Sequence, residues 1–137
     1  MRDKIHDAVC SALEKDGWQV VNDPYSLELR DVRIEIDLEI EPVLELERAG
    51  HSILVEIKTL QRASIFYSFY AVYGQYKFYQ NALRKQGIDK TLYLAISSEA
   101  YEKIQAIHDL LEWIEDNKLN LIIINLEQEE VTQWIDY

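Results

Sequence analysis

The chain of 137 residues holds one cysteine, Cys10, so it can form no intramolecular disulfide and no cysteine-rich zinc cluster. Its longest apolar runs are far too short to span a bilayer, which predicts no membrane segment. A charged-then-apolar leader is also missing at the N-terminus, so the expectation is a soluble, cytoplasmic protein. Positive charge is scarce: 14 Lys and Arg stand against 25 Asp and Glu, for a net charge of -11. That balance argues against a protein that coats DNA through a broadly basic surface. Neither internal repeats nor low-complexity stretches occur. What the chain does have is an apolar fraction of 48%, enough for the core of one compact domain over 1–137.

The charge is unevenly spread. From Glu28 to Glu56 nine acids face three arginines, whereas from Thr59 to Lys90 the balance reverses, with Arg62, Lys77, Arg84, Lys85 and Lys90 against Asp89 alone. From Glu99 to Tyr137 the chain is acidic again, with ten acids and two lysines. An acid-rich sheet beside a basic helix is one way to divide a metal-dependent phosphodiesterase site. The acidic C-terminal stretch would repel a phosphate backbone and is either solvated or offered to a protein partner.

Hydropathy patterning predicts the elements. Asp3 can cap a helix with the stripe Ile5, Val9, Ala12 and Leu13, which Gly17 ends. Trp18 to Val21 reads as a strand and Asn22-Asp23-Pro24 as a turn. From Val32 to Ile40 strict alternation predicts one strand, with Val32, Ile34, Ile36, Leu38 and Ile40 on one face and Arg33, Glu35, Asp37 and Glu39 on the other. Pro42 should interrupt it. Val43 to Glu47 and a turn at Arg48 to His51 would return the chain antiparallel into Ser52 to Lys58, with Glu45 opposite Leu54 and Glu47 opposite Ser52. Ser64 can cap a helix to about Lys85, with Gly87 beyond it. Thr91 to Ile96 is a strand, Glu99 to Asn117 a helix striped by Ile104, Ile107, Leu111 and Ile114, Leu119 to Leu126 a buried strand, and Val131, Trp134 and Ile135 a docked tail. The fold class is therefore α/β (α+β), a mixed sheet flanked by helices.

Within that frame Glu56-Ile57-Lys58 stands out, because alternation puts Glu56, Lys58 and Leu54 on one face of a largely buried strand. A buried acid or amine is costly without a partner or a metal. Phosphodiester hydrolysis needs a metal to polarise the phosphoryl oxygen and acidify a water, and a cation to stabilise the anionic transition state. Glu56 and one upstream carboxylate would satisfy Mg2+ or Mn2+, and Lys58 projects to the same side. Several acids of matching parity compete for the upstream role: Asp37, Glu39, Glu41, Glu45 and Glu47. The plain alternative is a solvated Glu-x-Lys pair on a half-exposed strand. Tyr67, Tyr70, Tyr73, Tyr76 and Tyr79 recur every third residue, but that step walks around a helix, so most of these rings belong to a core or an interface. Cys10 reads as a small buried apolar residue.

An acid, a gap, then Glu-x-Lys on an apolar strand resembles the PD-(D/E)XK nuclease superfamily, whose fold is restriction-endonuclease-like. That resemblance implies a metal ligand on the first helix, where His6 stands, and Gln75-Tyr76-Lys77-Phe78-Tyr79 is similar to the Gln-x-x-x-Tyr of RecB-like members. A narrower resemblance rests on His6 with Ala8-Val9, Asp16-Gly17-Trp18, Asp23-Pro24-Tyr25, Asp37-Leu38, Glu47-Arg48, Val55-Glu56-Ile57-Lys58, Gly74-Gln75-Tyr76 and Leu92-Tyr93-Leu94-Ala95. As a set these look like the cyanobacterial XisH family, the fdxN element excision controlling factors, from the first helix to Trp134-Ile135. Thr59-Leu60 departs from the Ser-Phe usual there. The resemblance implies Asp37, Glu56 and Lys58 as the catalytic core with Gln75 in support, and Asp37, Glu56 and His6 as metal ligands. It implies DNA, an XisI-like protein and a site-specific recombinase as partners, with a homo-oligomer also compatible. The rival expectation is a non-catalytic member that works by binding its protein partner through the aromatic helix or the acidic C-terminal half.

Overall fold

The computed structural model describes residues 4–43, 52–60 and 65–137. Helix α1 (Lys4–Lys15) buries Ala8, Val9, Ala12 and Leu13, and the chain leaves it through Gly17 at φ +93°, a conformation a side chain would strain. Strand β1 (Trp18–Asn22) follows, then β2 (Tyr25–Glu28), β3 (Arg33–Ile36), β4 (Leu38–Pro42) and β5 (Ile53–Ile57). Helix α2 (Ile65–Lys85) leads to β6 (Thr91–Ser97), α3 (Ser98–Gln105), α4 (His108–Asp116), β7 (Leu121–Asn125) and β8 (Glu130–Ile135). Asp3, Ser64, Arg62 and the stretch from Leu44 to His51, with Glu45, Glu47 and the expected turn, lie outside the described residues.

Six strands form one mixed sheet in the order β1-β4-β5-β6-β7-β8, while β2 and β3 pair as a separate antiparallel ribbon. The centre is parallel, β5 with β6 and β6 with β7, and the flanking pairs are antiparallel. Period-two alternation sorts the central side chains into two cores. Leu54, Leu92, Leu94, Ile96, Leu121 and Ile123 face the cluster that holds Phe69, Val72 and Tyr76 of α2 with Ile104, Leu110 and Ile114 of α3 and α4. Val55, Tyr93, Ala95, Ile122 and Ile124 face Val9, Ala12 and Leu13 of α1. The result is the expected mixed sheet covered by helices on both faces. Among the described residues no helix is long and apolar enough to cross a membrane.

Four sequence expectations are corrected. The run Val32 to Ile40 is not one strand: it bends at Asp37, so Ile34 and Ile36 pack in the α2-side core while Leu38 and Ile40 pack against α1. Alternation keeps residues on one face only while the strand stays in one sheet, and β3 belongs to the ribbon. The antiparallel partner of Leu54 is Glu39, not Glu45, because β4 rather than a later strand lies beside β5. The helix expected over Glu99 to Asn117 is broken at Ile107, whose φ of -111° and ψ of 97° are extended. That break rephases the stripe so that Leu110, not Leu111, is buried. Finally, the C-terminal tail is a full edge strand, in which Trp134 stands opposite Ile122 and Ile135 opposite Leu121.

Candidate active site

Glu56 stands near the carboxyl end of β5 on the face of Leu54 and is only 6% exposed. The bend at Asp37 brings the two residues into reciprocal contact. The Asp37 amide donates to Glu56 Oε1 at 3.1 Å, and the Ile57 amide donates to Asp37 Oδ2 at 2.7 Å. One residue past the strand, the Lys58 amide donates to the Ala95 carbonyl at 3.0 Å, which continues the β5–β6 pairing and fixes where Lys58 starts. Its Nζ reaches 3.3 Å from Glu56 Oε2 and remains 24% exposed.

Two carboxylates and one ammonium do not balance in a buried site. Burial raises the Glu56 pKa, the neighbouring charge of Asp37 raises it further, and Lys58 offsets only part, so the carboxyl is pushed up to about 7. Near neutral pH the site therefore exchanges a proton readily, and a cation held between the two acids would displace that proton. Such perturbed groups mark functional-site candidates.

Gln75 reaches this site through Tyr79. Its Nε2 donates to Tyr79 Oη at 2.8 Å, one helical turn on. Burial raises the Tyr79 pKa, Glu56's charge adds to that, the Gln75 hydrogen bond offsets part, and Asp37 contributes a smaller rise. Tyr79 thus stands within the field of both carboxylates, with Gln75 behind it. The rest of the tyrosine series spreads around α2 as the three-residue step requires: Tyr76 is buried, Tyr73 and Tyr79 are half-buried, and Tyr67 and Tyr70 are exposed.

His6 is placed elsewhere. Its Nε2 lies 3.0 Å from Asp23 Oδ2. With Cys10 these residues form the one group of three or more His, Cys, Asp or Glu side chains among the described residues whose ligand atoms lie within 4.8 Å of one another. The structure thus joins Asp37, Glu56 and Lys58 directly, Gln75 through Tyr79, and groups His6 with Cys10 and Asp23. Of the competing acids, Glu41 stands opposite Gln19, well along β4 from Asp37.

One buried constellation escaped the sequence reading. Glu39, 4% exposed, pairs with Lys90 and accepts hydrogen bonds from Ser52 Oγ at 2.5 Å and Asn22 Nδ2 at 2.6 Å. Burial works to raise its pKa, but the Lys90, Ser52 and Asn22 hydrogen bonds overcome that and hold it below the usual value. No local sequence signal marks it: Ser52 and Lys90 come together because Ile53 pairs with Thr91, so that each immediately precedes a paired residue. For Cys10 and His6 the signal was their four-residue spacing on α1.

Beyond Lys58 a small cleft of about 50 Å³ opens between Ile57, Lys58, Thr59, Leu60, Ile96 and Ser97 on the sheet side and Ile5 and Val9 of α1. It lies at the carboxyl ends of parallel strands β5 and β6, where open α/β sheets commonly bind ligands.

The chain matches the family model described as XisH protein over residues 1–132. It is similar to the crystal structure of an fdxN element excision controlling factor protein from Anabaena variabilis, with 33% identity, a TM-score of 0.84, and coverage of 98% of this chain and 100% of that one. A similar likeness holds to an XisH family protein from Nostoc punctiforme PCC 73102, with 34% identity, a TM-score of 0.84 and the same coverage. No curated protein matches the chain at comparable stringency. A family match from the first helix into β8, together with two solved structures of the same shape, establishes that this chain belongs to the XisH family.

Proposed function

We propose that this chain is an excision controlling factor that acts on DNA, and that Asp37, Glu56 and Lys58 form a phosphodiester-hydrolysing site of PD-(D/E)XK type. The observation that carries this reading is the closure of two carboxylates on each other at a strand break, with Glu56 pushed up to about 7 and an ammonium 3.3 Å away. A structural ion pair needs one acid; this site holds two, one of them left without full charge compensation.

The donor set suits a hard cation, since carboxylate oxygens are what Mg2+ and Mn2+ prefer, and Asp37 and Glu56 would hold it. When bound, such an ion supplies Lewis-acid polarisation of the phosphoryl oxygen and an acidified water. The remaining tasks belong to the chain. Lys58 places a positive charge where negative charge grows on the phosphate, and its partial exposure leaves it reachable by substrate. Gln75 orients the Tyr79 hydroxyl beside the carboxylates and so acts as a positioning residue. The two backbone hydrogen bonds from Asp37 and Ile57 lock the carboxylates in place before any ligand arrives.

A second reading has its own observation. Phe66, Tyr67 and Tyr70 are exposed on the first half of α2, a concentration of aromatic surface suited to a protein partner such as an XisI-like protein or a recombinase. Both readings are compatible in one molecule. The test of the first is cleavage of plasmid and branched DNA by the purified chain with Mn2+, against Lys58→Ala verified as folded. Loss of cleavage in the variant supports the nuclease site. Equal cleavage by both proteins, or none by either together with no Mn2+-induced rise in melting temperature, rejects it and leaves the binding role.

A further inference from the structure

We infer that His6, Cys10 and Asp23 form a second cation site, built for zinc rather than magnesium and separate from Asp37 and Glu56. His6 and Cys10 lie four residues apart on α1, so their side chains project from the same face one turn apart. Asp23 arrives from the other direction, just after β1 ends at Asn22, and its Oδ2 already meets His6 Nε2 at 3.0 Å. The imidazole nitrogen, the thiol sulfur and a carboxylate oxygen all lie within 4.8 Å of one another. A tetrahedral zinc ion, with bonds of about 2.1 Å to nitrogen or oxygen and about 2.3 Å to sulfur, holds its ligand atoms roughly 3.5 Å apart. Closing the trio thus asks for side-chain adjustments on the order of 1 Å, within the reach of one Cys or Asp rotamer.

Ligand chemistry selects the ion. A thiolate and an imidazole favour borderline ions such as Zn2+ over the all-oxygen shell that Mg2+ demands, and the single carboxylate completes a mixed sulfur, nitrogen and oxygen set. Three protein ligands leave a fourth position for water. All three residues are half-buried, so the site is held by the fold yet reachable from solvent. The ion would tie the first turns of α1 to the β1 exit and would replace the His6–Asp23 hydrogen bond with two metal bonds. On binding, the Cys10 thiol loses its proton to solvent, so affinity rises with pH.

The whole chain, stripped with chelator, is titrated with Co2+ and followed by absorption. The expected result is a thiolate-to-cobalt charge-transfer band that corresponds to one Co2+ per chain, is displaced by equimolar Zn2+ and is indifferent to millimolar Mg2+. Cys10→Ser abolishes the band, and His6→Gln and Asp23→Asn, checked as folded by circular dichroism, weaken Co2+ binding. The double variant Asp37→Asn with Glu56→Gln keeps the band, so failure of the nuclease reading leaves this site standing and the reverse holds too. No band in the unaltered protein, or a band unchanged in both His6→Gln and Asp23→Asn, overturns the inference and leaves His6 and Asp23 as a structural tie between α1 and the β1 exit.

Discussion

Replacing Glu56 with Gln should stabilise this protein at neutral and alkaline pH, the opposite of what loss of a buried hydrogen-bonded residue usually does. In the unfolded chain Glu56 releases its proton near the ordinary carboxylate value of 4.5, whereas in the fold burial and Asp37 hold the proton until about pH 7. Between those values the folded state binds more protons, so stability is fully present below pH 4.5 and is lost as pH rises through 7. With a shift from 4.5 to about 7 the loss amounts to about 3 kcal/mol at most. Exposure of 6% leaves little solvent to screen it. A glutamine has the same shape, accepts from the Asp37 amide and carries no charge to desolvate. Urea unfolding of both proteins from pH 5 to pH 8 tests this, because titrating groups that do not interact with Glu56 cancel in the difference. The two should agree within about 1 kcal/mol at pH 5, and Glu56→Gln should lead by about 3 kcal/mol at pH 8. A difference that stays flat, or one that grows in favour of the unaltered protein, refutes the electrostatic account of the site.

The other predictions concern the frame around it. Lys90→Ala leaves Glu39, 4% exposed, with Ser52 and Asn22 as its hydrogen-bond donors among the described residues, and should cost roughly 3 kcal/mol in denaturant unfolding. Adding Glu39→Gln should recover part of that loss, and no recovery would mean Lys90 acts through packing on the Tyr25 ring 5.4 Å away. Glu39 also sets an acid limit: its lowered pKa gives stability that is present above 4.5 and lost as pH falls below it, so Glu39→Gln should flatten the acid limb of the stability profile. Leu54→Ala, at 0% exposure beneath α2 and two residues before Glu56 on the same face, should cost about 3 kcal/mol. A cost below about 1 kcal/mol would show that the site side of the sheet collapses to fill the space.

Face assignment within single elements was legible in the sequence. Alternation put Leu54, Glu56 and Lys58 on one side of β5 and Val55 and Ile57 on the other, and helical periodicity gave α1 its stripe of Val9, Ala12 and Leu13. Changes of direction were not legible. Nothing in the pattern of Val32 to Ile40 marks the bend, because a strand that leaves its sheet and turns can keep perfect alternation. Ile107 likewise satisfies the helical stripe it interrupts, and neither glycine nor proline flags the break. Partners distant in sequence were invisible for another reason. Lys90 reaches Glu39 only because β6 docks parallel beside β5, a pairing that depends on the α2 crossover rather than on any local signal. His6 is singled out in the sequence only by resemblance, as a ligand on the first helix, and Asp23 only as turn chemistry; the return of β1 along α1 makes them neighbours.

The bend at Asp37 is also why the most direct mutagenesis of the site would mislead. In the β4–β5 register Leu38 faces Val55, so the next position would set Asp37 opposite Glu56. There the ladder stops, and side chains take over its bonds: Glu56 Oε1 accepts from the Asp37 amide and Asp37 Oδ2 from the Ile57 amide. Asp37→Ala would orphan the Ile57 amide, at about 1–3 kcal/mol, and any lost activity would be confounded with a loosened strand end. Asp37→Asn keeps an acceptor oxygen for that amide while removing the charge that helps raise Glu56. Because burial is the larger cause and Asp37 the second, the Glu56 titration midpoint should move part of the way from about 7 back toward 4.5. Carboxyl-carbon NMR of the labelled protein reads that midpoint directly. A midpoint that does not move would mean burial alone holds the proton, and the two acids would then lack the mutual repulsion on which a shared cation site depends.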